Sequence, residues 1–140
     1  MNIVCDTNIL VSGILFGGHA RNILQLASRG IVSNFISADI LREFEDVLAR
    51  PKFGLKPRQI LDIVALMRES CEFVEPEECM NAVSEDPDDN RILEAAKATD
   101  AEFIISGDKH LLDLHKWEGI QVLSPADFMQ KIIGQQGANM

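Results

Sequence analysis

Ile3-Val4-Cys5-Asp6-Thr7-Asn8-Ile9-Leu10 opens the chain with a short apolar, partly β-branched run that stops on a carboxylate. A run this short, bounded by a polar residue, reads as a strand buried on both faces of a parallel sheet. In open parallel α/β sheets ligands bind beyond the carboxyl ends of the strands, which puts Asp6 where chemistry is expected. Capping of the helical turn that follows is an equally good use of the same aspartate.

Outward from this strand, strand-like and helix-like segments alternate. Gly17-Gly18 mark a turn, and Ala20, Ile23, Leu24 and Ala27 then share one helical face closed by Gly30. Residues 31–37 read as a second strand. Ser37 caps a helix over 39–49 whose stripe is Ile40, Leu41, Phe44, Val47 and Leu48, and Pro51 ends it. Another helix begins near Pro57, carries Ile60, Leu61, Val64 and Met67, and leads to a short strand at 72–74. Residues 75–85 are acidic and irregular. Asp86-Pro87 opens a helix through 98, followed by a strand at 103–106, a short helix at 109–114, a strand at 121–123 and a last helix at 125–133. Strands separated by helices of this length predict an α/β fold, a mostly parallel sheet joined by right-handed crossovers. One domain over residues 1–133 is expected, with 134–140 a flexible tail.

The chain has 140 residues, 46% hydrophobic and 25% charged, an ordinary globular composition with no apolar run long enough to span a membrane. The opening Met-Asn-Ile-Val lacks a basic leader, so a cytoplasmic location is expected. Cys5, Cys71 and Cys79 are odd in number and match no zinc or redox spacing, which predicts reduced thiols. A net charge of −9 argues at first against a nucleic-acid partner. Its distribution weakens that objection: ten acids and one base lie between Glu69 and Glu94, whereas Arg50, Lys52, Lys56 and Arg58 fall in an acid-free stretch. That basic stretch is either a solvated loop or a phosphate-binding surface.

The carboxylates can now be placed. Asp108, after Ser106-Gly107, lies beyond an all-apolar strand as Asp6 does, and the two meet if their strands are neighbours. In Asp86-Pro87-Asp88-Asp89, capping and the helix dipole account for Asp86 and Asp88. Asp89 stands three, four and seven residues before Ile92, Leu93 and Ala96, and so heads the stripe facing the sheet. An acid there needs a partner or a metal, unless it closes a capping box. On the helix over 39–49, Glu43 and Glu45 border opposite margins of the apolar stripe, and periodicity does not choose between them.

Asp6-Thr7-Asn8 after an opening strand, a glutamate in the helix after the second strand, Asp86-Pro87-Asp88-Asp89-Asn90 with Ile92-Leu93-Glu94-Ala95-Ala96, and Ser106-Gly107-Asp108 together resemble a PIN-domain ribonuclease. The nearest subgroup is that of toxins of bacterial toxin–antitoxin pairs, and the resemblance runs from residue 1 to about 130. It implies a three-layer α/β/α, Rossmann-like fold and Mg²⁺- or Mn²⁺-dependent cleavage of single-stranded RNA. The family's acids fall on Asp6, Glu43, Asp89 and Asp108, which prefers Glu43 to Glu45. Asn8 and Ser106 match supporting polar positions, threonine being commoner at the latter, with Asp86 and Asp88 as auxiliaries. An antitoxin protein and a second copy of the chain are the partners implied.

Four converging carboxylates cannot all ionise unless cations offset their repulsion. Oxygen donors without a His or Cys cluster select Mg²⁺ or Mn²⁺ over zinc. Asp6, Asp89 and Asp108 are the expected ligands, and Glu43 a further ligand or the group that orients attacking water. Asn8 and Ser106 would fix carboxylate orientation. Two rivals carry different chemistry. A haloacid-dehalogenase phosphatase needs a second aspartate where Asn8 stands, and a phospho-accepting receiver domain needs acids at strand ends that residues 31–37 lack. His19, His110 and His115 are scattered and read as surface groups. Trp117 reads as the anchor of a core edge or an oligomer contact.

Overall fold

The structure, a computed structural model, describes residues 1–76 and 87–138, with side chains described as far as residue 134. Asp86 and Cys79 lie outside the described residues. The first strand, β1 (Asn2–Cys5), is as expected, with Ile3, Val4 and Cys5 all but fully buried. Burying each such aliphatic side chain contributes about 1.5–3 kcal/mol, so this strand is pinned by its side chains as well as by its ladder.

A helix that the sequence pattern does not distinguish follows at once, α1 (Thr7–Leu15). Its Ile9, Leu10, Val11 and Gly13 are all buried because it is packed between α2 (Gly18–Ser28) and α3 (Ala38–Leu48). A helix covered on several sides shows no amphipathic period, and that hides it. Gly17, at φ 93°, makes the break between α1 and α2 in backbone space that L side chains avoid. At Gly13 a Cβ would sit 2.6 Å from Leu24 Cδ1 and 3.1 Å from the Ala20 backbone, so any larger side chain there makes Leu24 and the α2 backbone shift.

β2 (Ser33–Ile36) precedes α3, and the Ser37 hydroxyl accepts from the Ile40 N–H at 3.2 Å, the cap expected. Pro51–Phe53 form a 3₁₀ turn closed by Gly54, and α4 (Pro57–Ser70) starts with Pro57 in its first turn and the Lys56 N–H bonded to Gln59 Oε1 at 2.8 Å. β3 (Glu72–Phe73), α5 (Pro87–Ala98), β4 (Phe103–Ile105) and α6 (Lys109–Leu112) fall close to their predicted places. β5 (Lys116–Trp117) is unforeseen, pairing antiparallel with β6 (Ile120–Leu123) through a turn in which Glu118 and Gly119 both have positive φ. Trp117 is half-buried there against the core. The last helix, α7 (Pro125–Ala138), continues beyond Ile133, where the sequence pattern ends it.

The strand order is β3-β2-β1-β4-β6-β5, parallel at every pairing except the last, with helices flanking the sheet. This is the three-layer α/β/α arrangement implied above. β1 lies at the centre, between β2 and β4, and α5 packs on β1, β2 and β4. The register aligns Cys5 with Ile105, so Asp6 and Ser106 leave the sheet side by side. No helix among the described residues is long and apolar enough to cross a membrane.

Candidate metal centre

The neighbouring strands deliver what their sequences promise. Asp6 continues β1 by one residue, its N–H still bonded to Ile105 O at 2.9 Å. It occupies the N-cap position of α1. Ser106 is fully buried; its hydroxyl donates to Asp6 Oδ2 at 2.8 Å and accepts from the Asp108 N–H at 2.9 Å. One hydroxyl therefore fixes a carboxylate on one strand and the backbone that carries a second. Asp108 caps α6, with Oδ1 accepting from the His110 N–H at 2.8 Å.

Asp89 arrives from the first turn of α5, which lies on the sheet, and is 3% exposed. One carboxylate oxygen from each of Asp6, Asp89 and Asp108 lies within 4.8 Å of the other two. Glu43 stands beside this trio. Its Oε2 accepts from the Thr7 hydroxyl at 3.0 Å, and it faces Asp88 and Asp6. Of the two glutamates that border the stripe of α3, Glu43 is the one that meets Thr7 and faces Asp6.

Electrostatics follow from this crowding. Burial raises the Asp6 carboxyl above its ordinary range; the Ser106 hydroxyl and the Asn8 N–H oppose the rise, while the charge of Asp108 adds to it. Burial pushes Glu43 up to about 7, against the pull of the Thr7 hydroxyl and with the help of Asp88 and Asp6. Cys5 and Cys71 are buried free thiols raised by desolvation, in keeping with reduced core cysteines.

Other predicted residues are distributed around this centre. Asp88 meets Glu43 at its edge. Asn8 is exposed on the first turn of α1 and lines an adjoining cavity of about 630 Å³ with Arg50 and Lys52. Of the remaining basic pair, Lys56 stands at the start of α4 and Arg58 makes an exposed 3.8 Å ion pair with Asp62; neither lines that cavity. His19, His110 and His115 are exposed. Thr7 stands in the Asp6-Thr7-Asn8 motif with no role of its own read from the sequence, and its bond to Glu43 is what places it beside the trio. Glu94, 5% exposed and 3.2 Å from Arg91, is a buried acid likewise given no role from the sequence.

A strand-end aspartate pair, a helix-borne third and a glutamate at the margin make a hydrogen-bonded acidic pocket built of oxygen donors at the sheet's carboxyl edge. The family model described as the PIN domain matches residues 2–110, and the chain belongs to that family. A chain in the crystal structure of VapBC2 from Rickettsia felis, bound to a DNA fragment from its promoter, superimposes with a TM-score of 0.65 at 16% identity, over 89% of this chain and 98% of that one. That likeness is one of fold. No curated protein sequence matches the chain.

Proposed function

We propose that the chain is a divalent-metal-dependent endoribonuclease acting on single-stranded RNA, and the toxin member of a toxin–antitoxin pair. The observation that carries the nuclease reading is the meeting of the Asp6, Asp89 and Asp108 oxygens within 4.8 Å. Membership of the PIN family supports it, as PIN domains are generally nucleases. The likeness of fold to a chain of VapBC2, a toxin–antitoxin complex, supports an antitoxin partner.

The donor set fits a hard cation. Three carboxylates from different elements, two of them buried, face one point, and the burial that raises Asp6, with the charge of Asp108 added, is offset by a positive ion. Asp6, Asp89 and Asp108 would hold Mg²⁺ or Mn²⁺. Bound there, such an ion supplies polarisation of a phosphoryl oxygen and activation of attacking water. Ser106 acts as a positioning residue, holding Asp6 through Oδ2 and the Asp108 backbone through its own acceptor. Thr7 occupies Glu43 Oε2, which leaves Oε1 of the ionised carboxylate to orient water and take up its proton. Asp88 is an auxiliary through Glu43. Asp86, outside the described residues, keeps its proposed auxiliary role from the motif alone.

The test is cleavage of an end-labelled single-stranded RNA with Mg²⁺, with Mn²⁺ and with EDTA, beside Asp6→Asn. Cleavage by the parent, loss with EDTA and loss in Asp6→Asn are expected. An Asp6→Asn protein that cuts at the parent's rate would refute the assignment. For the toxin reading, co-expression of a small neighbouring reading frame is expected to relieve growth arrest caused by the chain.

A further inference from the structure

Beside the acidic pocket runs a second feature that the cleavage chemistry does not use. The 630 Å³ cavity at Asn8 lies between α1 and the 3₁₀ turn, a size ordinary for small-molecule sites of about 300–1,000 Å³. Its outer wall is an aromatic pair, Phe16 and Phe53, with ring centroids 6.1 Å apart and planes tilted by 50°. Phe16 is 71% exposed, the most exposed large apolar side chain among the described residues. Lys52 places its ammonium 5.0 Å from the Phe53 centroid. Arg50 lines this cavity and also the neighbouring one, of about 420 Å³, that contains Glu43 and Asp88.

Charge discriminates among occupants. The chain carries 22 acids against 13 bases, yet no carboxylate lines the aromatic cavity, and its two charged residues are Arg50 and Lys52. Neither makes an ion pair among the described residues. An open aromatic face flanked by two available cations, joined through Arg50 to a phosphodiester-cleaving site, has the chemistry of a nucleotide: a base for the ring and a phosphate for the cations.

We infer that Phe16 and Phe53, with Arg50 and Lys52, form a subsite for a nucleotide flanking the scissile bond, its base stacked on Phe16 and its phosphate held by the two cations. This rests on the ribonuclease reading for the identity of the polymer. The exposed ring of Phe16 offers a stacking surface for one base, and because every base can stack, the subsite accepts any base and sets the register of the strand on the acidic pocket. Asn8, between the two centres, is turned to this groove and supplies an amide to the bound nucleotide.

The experiment uses the full chain carrying Asp6→Asn, to prevent cleavage, and a short single-stranded oligoribonucleotide with one 2-aminopurine, read by anisotropy and by 2-aminopurine fluorescence. Binding with quenching is expected. Phe16→Ala should weaken binding about 5- to 150-fold and relieve the quenching, the range for loss of one base–aromatic stack. Phe16→Trp should restore both. Lys52→Ala should lower the slope of log affinity against log salt by about 0.7, the share of one phosphate contact on a single strand. With Phe16 intact in the Asp6→Asn chain, an abasic probe should lose as much as Phe16→Ala does, and the two losses should not add. Because Phe16 is exposed, its variants should melt with the parent. Unchanged affinity and quenching in Phe16→Ala overturn the subsite, whereas RNA cleavage by the unmutated chain then still upholds the nuclease. Conversely, stacking without cleavage of any RNA upholds the subsite and removes the nuclease. A dimer lost on Phe16→Ala, with RNA binding intact, would overturn the inference in favour of a contact between copies.

Discussion

Ser106→Ala removes one buried oxygen with two partners, and the structure sets its cost. The hydroxyl's hydrogen bond to the Asp6 carboxylate, at 2.8 Å, is charge-assisted and contributes about 1.5–3 kcal/mol. At about 1.4 kcal/mol per tenfold, this corresponds to a loss of roughly 10- to 100-fold, the same range found when groups supporting metal ligands are removed. The Asp108 N–H also loses its acceptor, but the half-buried position of Asp108 lets water replace it, which limits the cost to stability. The expected outcome is therefore a shift in metal dependence: RNA cleavage titrated with Mg²⁺ should need about 10- to 100-fold more ion. Ser106→Thr retains the hydroxyl and should cleave with the parent's metal dependence. Its extra methyl enters a fully buried site, so it should melt lower, overpacking costing about 1–3 kcal/mol. A Ser106→Ala protein with the parent's Mg²⁺ titration would refute the assignment of Ser106 as the group that positions Asp6.

Three other outcomes are expected. Mg²⁺ at a hundredfold excess over its Kd should stabilise the parent by about 2.7 kcal/mol, near 10 °C in Tm for a domain of this size, whereas Asp89→Asn should abolish that shift in differential scanning fluorimetry. In EDTA, the folded state holds the Glu43 proton more tightly than the unfolded chain. Its contribution to stability is therefore complete below about 4.5 and is lost as pH rises through about 7, and Glu43→Gln should flatten the fall in Tm across that window. Gly13→Val should destabilise the protein by about 1–3 kcal/mol in urea unfolding, through overpacking of α1 on α2; parental stability would mean the Ala20 backbone yields freely.

The sheet's central strands were legible because their side chains are buried on both faces and leave unbroken apolar runs, as in Ile3-Val4-Cys5 and Phe103-Ile104-Ile105. The carboxylates at their ends followed directly. Asp89 was legible by helical phase, and its near-complete burial is what that phase predicts. The choice of Glu43 over Glu45 came from family resemblance, because both glutamates flank the stripe and only the approach of Thr7 and Asp88 distinguishes them. α1 was hidden by burial on several sides, and β5 by its two-residue length. Phe16 was hidden for a different reason: one exposed phenylalanine in an apolar run looks like core until the fold shows it turned outward.

The bond between Ser106 and Asp6 joins residues one hundred positions apart. A growing polypeptide on the ribosome carries its first aspartate from the outset, but acquires that aspartate's support only after β4 and the loop beyond it have emerged. Until then the acids cannot be gathered: a fragment that stops short of Asp108 holds neither the hydroxyl that fixes Asp6 in its final setting nor the complete trio.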